Sequence, residues 1–171
     1  MESSPSPARG YSSLLVPVDF AGCAFEVVLH ARRLAAAFHA EVNLAYVISL
    51  PVGTHPDDPR GESTVGAVLM AEAHAELTGL ARQFEAPERV RLVIRFGAVL
   101  PTLLELIRET RADLVIMGTH GRSGLRRLVL GSVAEQVIRA GLAPVLTVHA
   151  PAGTADAHGA TWDAVAADRD G

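Results

Sequence analysis

Apolar residues along the chain follow two alternating patterns, short uninterrupted runs and longer stretches with helical spacing. The short runs predict five buried β-strands, at residues 13–18, 41–50, 89–96, 113–117 and 144–149. The helical spacing predicts four helices, around residues 25–40, 64–84, 101–110 and 128–140. Strand and helix therefore alternate from one end of the pattern to the other.

This alternation is typical of a parallel sheet, in which every crossover helix buries its apolar stripe on one face. We therefore expect an α/β fold: a doubly wound, Rossmann-like, five-stranded parallel sheet with helices on both faces and strand order 3-2-1-4-5. Residues 13–149 would form this domain. Residues 1–12 and 150–171 show little apolar pattern and are expected to be flexible tails.

Composition and charge narrow the class of protein. No stretch approaches the roughly 18 apolar residues of a membrane span, and the first residues do not form a secretory signal, so we expect neither a membrane protein nor export. The single cysteine, Cys23, excludes an internal disulfide, and a cytoplasmic location fits best. A net charge of −4 argues against a nucleic-acid surface.

Candidate binding residues follow the predicted first and fourth strands. The first strand ends at Pro17, Val18 and Asp19, and the fourth ends at Met117 and Gly118. Ligands of open parallel sheets bind beyond the carboxyl ends of the strands, where the strand order reverses. If these two strands are neighbours, their ends face the same crevice.

A glycine-rich segment after the fourth strand indicates a phosphorylated ligand. Gly121 and Gly131 allow close approach of main-chain N–H groups, and Ser132 adds a hydroxyl at the start of the fourth helix. Arg122 and its neighbours Arg126 and Arg127 supply positive charge. The alternative is that the glycines only form turns, Ser132 only caps the helix and the arginines form a solvated loop. Neither the GxxxxGK[ST] nor the GxGxxG phosphate motif is present.

The glycine spacing is more specific than the glycine content. The pattern Gly118-x2-Gly121-x9-Gly131-Ser132 resembles the G-x2-G-x9-G-[ST] signature of ATP-binding universal stress proteins. LLVPVDF at 14–20, DLVIMGTHGRSG at 113–124 and SVAEQVIRAGLAPVLTVH at 132–149 are similar to further segments of that family. The chain departs from the family pattern at Ala21, where a Ser is frequent, and at Val99, where a Pro is frequent.

The resemblance implies an ATP site with Mg²⁺ as the metal. Asp19 would lie near the ribose and the metal, and Val47 would contact adenine through its main chain. Met117 and Gly118 would flank the sugar, and Pro17 and Val18 would line the nucleotide. The phosphates would be held by Gly121, Arg122, Gly131, Ser132 and Val133.

Other readings of single residues stay open. Asp19 could cap the first helix instead, and His120 could contact phosphate or only its own turn, so we leave it out of the site. Cys23 lacks a visible catalytic partner and is read as structural. The histidines in helical stretches, His30 and His39 among them, show no metal-ligand spacing.

The expected function is that of a nucleotide-dependent regulatory or protective protein in stress response. The fifth strand, from Pro144 to His149, is expected at the sheet edge, and the resemblance implies a homodimer formed through it. One alternative is a slow Mg²⁺-dependent ATP hydrolase, for which only Asp19 or His120 could position water. The other is a structural or protective dimer that binds no nucleotide.

Overall fold

Five strands and four α-helices alternate along the part of the chain that the structure describes. The structure is a computed structural model, and it describes residues 10–20, 23–49, 63–119 and 131–149. The elements are β1 (Ser13–Pro17), α1 (Ala24–Phe38), β2 (Glu41–Ile48), α2 (Ser63–Ala81), a 3₁₀ turn (Pro87–Arg89), β3 (Val90–Phe96), α3 (Val99–Glu109), β4 (Leu114–Gly118), α4 (Ser132–Ala140) and β5 (Val145–Val148).

The strands form one sheet in the order β3-β2-β1-β4-β5, and every pairing is parallel. The predicted fold class and strand order are confirmed. β1 lies between β2 and β4, with Leu14 opposite both Val42 and Leu114. The chain order along the sheet reverses between β1 and β4, so the switch point lies there and the ends of these two strands face the same crevice.

The side chains of successive residues in β1 point to opposite faces of the sheet. Leu14 and Val16 pack with α1 and α2, whereas Leu15 packs with α3 and α4 on the opposite face. All three are fully buried, and burying one such side chain stabilises the fold by about 2 kcal/mol. The sequence of β1 lacks polar alternation because both of its faces are covered.

Two helices begin at different residues from those predicted. α3 begins at Val99, so Pro101 lies in its first turn, where a proline is tolerated. α4 begins at Ser132 because Gly131 has an extended ψ of 144° and cannot be helical. Residues 128–130, where the pattern predicts the start of this helix, lie outside the described residues.

Gly97 connects β3 to α3 in a conformation that glycine alone adopts readily. Its φ is +151°, and a Cβ at this position would lie 2.8 Å from Thr102 Oγ1. Its N–H donates to the carbonyl of Ile48 at 3.0 Å, so it also closes the end of β2. This glycine therefore sets the direction in which α3 leaves the sheet.

A carboxylate ties together the amino end of the sheet, opposite the predicted site. Asp113 accepts hydrogen bonds from the Ser12 hydroxyl at 2.7 Å, the Ser12 N–H at 2.8 Å and the Ser13 N–H at 3.1 Å. Burial by itself raises the pKa of Asp113, but these hydrogen bonds outweigh it and hold the pKa below its ordinary value. Tyr11, next to Ser12, packs edge-on against Phe38 at 5.4 Å between ring centroids.

Replacing this carboxylate should reduce stability in a pH-dependent way. Because the folded-state pKa lies below the unfolded one, the ionised group stabilises the fold above the unfolded pKa, and this stabilisation is lost as pH falls through the folded pKa. We expect Asp113→Asn to lower the free energy of unfolding by about 0.5–1 kcal/mol at neutral pH, a value discounted for solvent screening. Urea unfolding at neutral and acid pH measures the difference, which should shrink in acid.

The matched control for this change is Glu105→Gln, which removes an exposed carboxylate from the middle of α3. It should change the free energy of unfolding by less than about 0.5 kcal/mol. An Asp113→Asn effect that stays constant from neutral to acid pH would show that the charge of Asp113 is not what stabilises this end of the sheet.

The two tails predicted from the sequence are residues 1–12 and 150–171. Apart from residues 10–12, they lie outside the described residues. Among the described residues, no helix combines the length and the apolar character needed to cross a membrane.

Candidate functional site

A cavity of about 240 Å³ opens at the carboxyl end of the sheet, at the switch point between β1 and β4. The ends of β1, β2 and β4 and the first turns of α1, α3 and α4 surround it. The described lining residues are Pro17, Val18, Asp19, Cys23, Ala24, Val27, Ala45, Tyr46, Val47, Val99, Leu103, Met117, Gly118, Thr119, Gly131, Ser132, Val133 and Ala134. Most are apolar, and the polar groups lie mainly at the ends of β1 and β4 and the start of α4.

Nine of the eleven residues predicted for the site line this one cavity. They come from four separate stretches of sequence, so the fold brings them together. The nine are Pro17, Val18, Asp19, Val47, Met117, Gly118, Gly131, Ser132 and Val133. The other two, Gly121 and Arg122, lie outside the described residues, as do His120, Arg126 and Arg127.

The end of β1 brings Asp19 to the cavity. Val18 N–H donates to the carbonyl of Ala45 at 2.9 Å and continues the pairing with β2 beyond Pro17. Phe20 then turns the chain with a φ of +56°, and its ring packs against Tyr46 at 4.5 Å between centroids. The N-cap position of α1 belongs to Cys23, four residues later, so Asp19 is not the N-cap residue of that helix.

The main chain of Val47 faces the crevice. The carbonyl of Ala45 points to β1, where it accepts from Val18 N–H, whereas the carbonyl of Ile48 points to β3, where it accepts from Gly97 N–H. Main-chain groups alternate in direction along a strand, so the N–H and C=O of Val47 point to the side of β1. β1 itself ends at Pro17, opposite Ala45. Val47 therefore presents a donor and an acceptor beyond the end of its neighbour.

The start of α4 presents main-chain donors to the same cavity. Gly131 is the N-cap, its N–H donates to the carbonyl of Thr119 at 2.6 Å, and its carbonyl accepts from Glu135 N–H at 2.9 Å. The N–H groups of Ser132, Val133 and Ala134 precede that first intrahelical bond, and all three residues line the cavity. The positive end of the helix dipole adds to their attraction for an anion.

Ser132 is not the N-cap residue of α4, which was the alternative role predicted for it. Ser132 is the first residue inside α4, one position after the N-cap, and no side-chain hydrogen bond caps this helix. Its side chain is exposed and belongs to a residue that lines the cavity.

Asp19 supplies the one carboxylate among the described lining residues. No group of three or more His, Cys, Asp or Glu side chains gathers anywhere in the described ranges, so these residues form no all-protein metal cage. A single carboxylate in the same cavity as a helix N-terminus, whose dipole attracts anions, fits Mg²⁺, which is commonly held by one or two carboxylates together with substrate phosphates. His30, His39 and His74 are exposed and lie outside the cavity lining.

Half of the described residues that line the cavity were not predicted from the sequence. The missed residues are Cys23, Ala24, Val27, Ala45, Tyr46, Val99, Leu103, Thr119 and Ala134. Most are small or apolar residues in the first turns of helices, and their sequence carries no chemical signal. Thr119 is different, because it directly follows the fourth strand and a polar residue at that position is a recognisable candidate.

Residues 10–149 match the universal stress protein family. Universal stress protein MJ0531 of Methanocaldococcus jannaschii is 32% identical over 143 residues, which cover 82% of this chain and 84% of the relative. MJ0577 of the same organism is 27% identical, and its solved structure superposes with a TM-score of 0.71 over 82% of this chain and 96% of that one.

A universal stress protein solved in complex with cAMP is also similar. It is 25% identical, with a TM-score of 0.65, and the similarity covers 83% of this chain and 99% of that one. The match over residues 10–149, the identity to MJ0531 and the shared strand order agree. The chain is a member of the universal stress protein family.

Proposed function

We propose that this protein binds ATP, together with Mg²⁺, in the cavity at the switch point, and that it acts in stress response as a nucleotide-dependent homodimer with a regulatory or protective role. One observation carries this proposal. The main-chain groups of Val47, the carboxylate of Asp19 and the N–H groups that precede the first intrahelical hydrogen bond of α4 border a single cavity. These are groups suited to a base, a metal ion and phosphates.

The base end of the ligand is assigned to Val47. Its N–H can donate to adenine N1 and its C=O can accept from the adenine amino group, so two main-chain hydrogen bonds hold the ring edge. The side chains of Val99 and Leu103 supply apolar wall near this part of the cavity. Because main-chain atoms make both hydrogen bonds to adenine, no particular side chain is needed at position 47.

The phosphate end of the ligand is assigned to the start of α4. The N–H groups of Ser132 and Val133 donate to phosphate oxygens, and the Ser132 hydroxyl adds one donor. Gly131 leaves room for a phosphate because it has no side chain. Gly121 and Arg122, which complete the signature, are assigned to the same phosphates on the family resemblance.

Asp19 is assigned to the metal and the ribose. Mg²⁺, when bound, neutralises phosphate charge and links phosphate oxygens to the protein. The Asp19 carboxylate provides a hard oxygen ligand at the end of β1, and on the family resemblance it is also assigned to accept a hydrogen bond from a ribose hydroxyl. Because Asp19 is the one carboxylate of the described lining, we expect weak Mg²⁺ binding without nucleotide.

Relatives support a nucleotide as the ligand. A similar universal stress protein was solved in complex with cAMP, an adenine nucleotide. The preference for ATP in this chain rests on the full glycine signature, Gly118-x2-Gly121-x9-Gly131-Ser132, which offers several phosphate donors. The single cysteine of the chain, Cys23, is in keeping with action in the reducing cytoplasm.

Nucleotide extraction tests the proposal on the purified protein. The protein is purified without added nucleotide and denatured, and the released small molecules are separated by chromatography. We expect ATP in an amount that approaches one molecule per chain. Mainly ADP, with slow phosphate release on added ATP, would favour the hydrolase alternative. A chain that releases no nucleotide and binds none would support the structural dimer.

The homodimer is assigned to the edge formed by β5. This strand lies at one end of the sheet, so within the described part of the chain one row of its main-chain groups has no neighbouring strand. Two exposed apolar side chains lie close to it in sequence, Ile138 with 43% and Leu142 with 37% of their surface accessible. An unpaired edge beside exposed apolar residues is suited to pairing with a second copy.

Light scattering after size exclusion tests this interface. We expect a mass of twice the 18.0 kDa chain for the wild type and a monomer mass for Ile138→Lys, because a charge there opposes burial. Val68→Lys is the matched control, since Val68 is 49% exposed but lies on α2, which packs against β2 and β3 at the edge of the sheet opposite β5. A monomeric wild type, or loss of the dimer in Val68→Lys, would contradict the assignment.

A further inference from the structure

Thr119 occupies a junction between the cavity and the edge of the sheet. It directly follows β4, it lines the cavity, and its main chain bonds two other elements. Its N–H donates to the carbonyl of Val148 in β5 at 2.9 Å, and its carbonyl accepts from the N–H of Gly131 at 2.6 Å. One residue therefore joins β4, β5 and the start of α4.

The side chain of Thr119 adds a second contact with the end of β5. Its Oγ1 lies 3.0 Å from Nδ1 of His149, which immediately follows β5. His149 is exposed, and among the described residues it is not part of the cavity lining, whereas Thr119 is. The hydroxyl thus connects a surface residue at the sheet edge to a residue in the cavity wall.

The junction sets the position of the phosphate donors. The Gly131 N–H bond to Thr119 fixes the N-cap of α4, and the donors of Ser132 and Val133 follow it directly. Hydrogen bonds from a fixed helix end discriminate strongly on geometry. A small displacement of Thr119 therefore moves every donor at this end of the cavity together.

We propose that the Thr119–His149 pair is a positioning device for phosphate binding: the His149 imidazole holds the Thr119 hydroxyl, and Thr119 holds the start of α4 through Gly131. This inference rests on the proposed nucleotide site and identifies the two residues that position its phosphate donors. His149 acts through Thr119 and does not touch the ligand. His149 directly follows β5, the strand assigned to the dimer edge. A change in the position of that end of β5 therefore alters the affinity for phosphate.

A double-mutant cycle on ATP affinity tests this device. Thr119→Val removes the hydroxyl at nearly constant volume, and His149→Ala removes its partner. Each change should weaken ATP binding by roughly threefold to tenfold, the size of one lost hydrogen bond. The double variant should bind no more weakly than either single variant, because both changes break the same contact. Thr119→Ser retains the hydroxyl and should bind ATP as the wild type does.

Adenosine separates positioning from a general structural effect. It lacks phosphate, so Thr119→Val and His149→Ala should leave its affinity unchanged while ATP affinity falls. Equal losses for adenosine and ATP, or additive losses in the double variant, would overturn the positioning role. His149 is exposed, so His149→Ala decides the matter even if Thr119→Val fails to fold.

The outcome for the wild type keeps the two proposals apart. A wild type that binds no ATP overturns the nucleotide site and this device with it. A wild type that binds ATP, with His149→Ala and Thr119→Val binding equally well, leaves the nucleotide site standing and removes the device alone.

Discussion

Gly131→Val is expected to abolish measurable ATP binding, with a loss of at least about a hundredfold, or about 2.8 kcal/mol, while the domain stays folded. Gly131 lines the cavity at the N-cap of α4, so a branched side chain there occupies space that a phosphate needs. The backbone tolerates the change, because its φ of −58° and ψ of 144° are ordinary for any residue. Calorimetric titration with ATP measures the loss, and circular dichroism checks the fold.

The matched control is Gly79→Val in α2. A Cβ at Gly79 meets no atom within 4 Å, and the residue lies outside the cavity lining. This variant should bind ATP as the wild type does. Unchanged ATP affinity in a folded Gly131→Val protein would remove the start of α4 from the binding site.

Asp19→Asn should show whether Asp19 contributes to ATP binding through Mg²⁺ or through the nucleotide itself. The change keeps the size of the side chain and removes its charge, so ATP affinity in the presence of Mg²⁺ should fall by about tenfold, or about 1.4 kcal/mol. Without Mg²⁺ the sign reverses, because the carboxylate repels the triphosphate and its removal relieves that repulsion. Affinity without the metal should therefore stay equal or rise. Titrations with Mg²⁺ and with a chelator measure both conditions.

Glu135→Gln is the control for the charge change. Glu135 lies in the first turn of α4, close to the site in sequence, but its carboxylate is paired with Arg139 at 2.8 Å. Its replacement should not alter the ratio of the two affinities. If Asp19→Asn weakens ATP binding equally with and without Mg²⁺, Asp19 contacts the ribose and has no part in metal binding.

The sheet could be predicted from the sequence because its strands are buried on both faces. Leu14, Leu15 and Val16 are apolar in succession, and the structure buries each of them fully. Such runs identify a parallel sheet without any knowledge of its partners. Helix starts were less predictable: α4 begins at Ser132 because Gly131 is extended, and the apolar pattern around Leu128 contains no signal for that backbone change.

The chemistry of the site was predictable only where it depends on residue type. Gly131 and Asp19 stand out by spacing and position, and both line the cavity. Val47 does not stand out, since its contribution is the direction of its main chain, which depends on where β1 ends in the register with β2. Thr119 was recognisable as a polar residue that directly follows the fourth strand, but its contacts with Gly131 and His149 were not predictable, because they join segments that are far apart in the chain.

Titration of nucleotide-free protein with ATP and Mg²⁺ shows whether the cavity at the switch point binds a nucleotide. The protein is unfolded, freed of small molecules, refolded and titrated in a calorimeter, with GTP as the comparison ligand. We expect saturable binding of one ATP per chain, which the Gly131→Val variant lacks. A refolded wild type that shows no saturable binding of ATP, with the fold intact by circular dichroism, would contradict it.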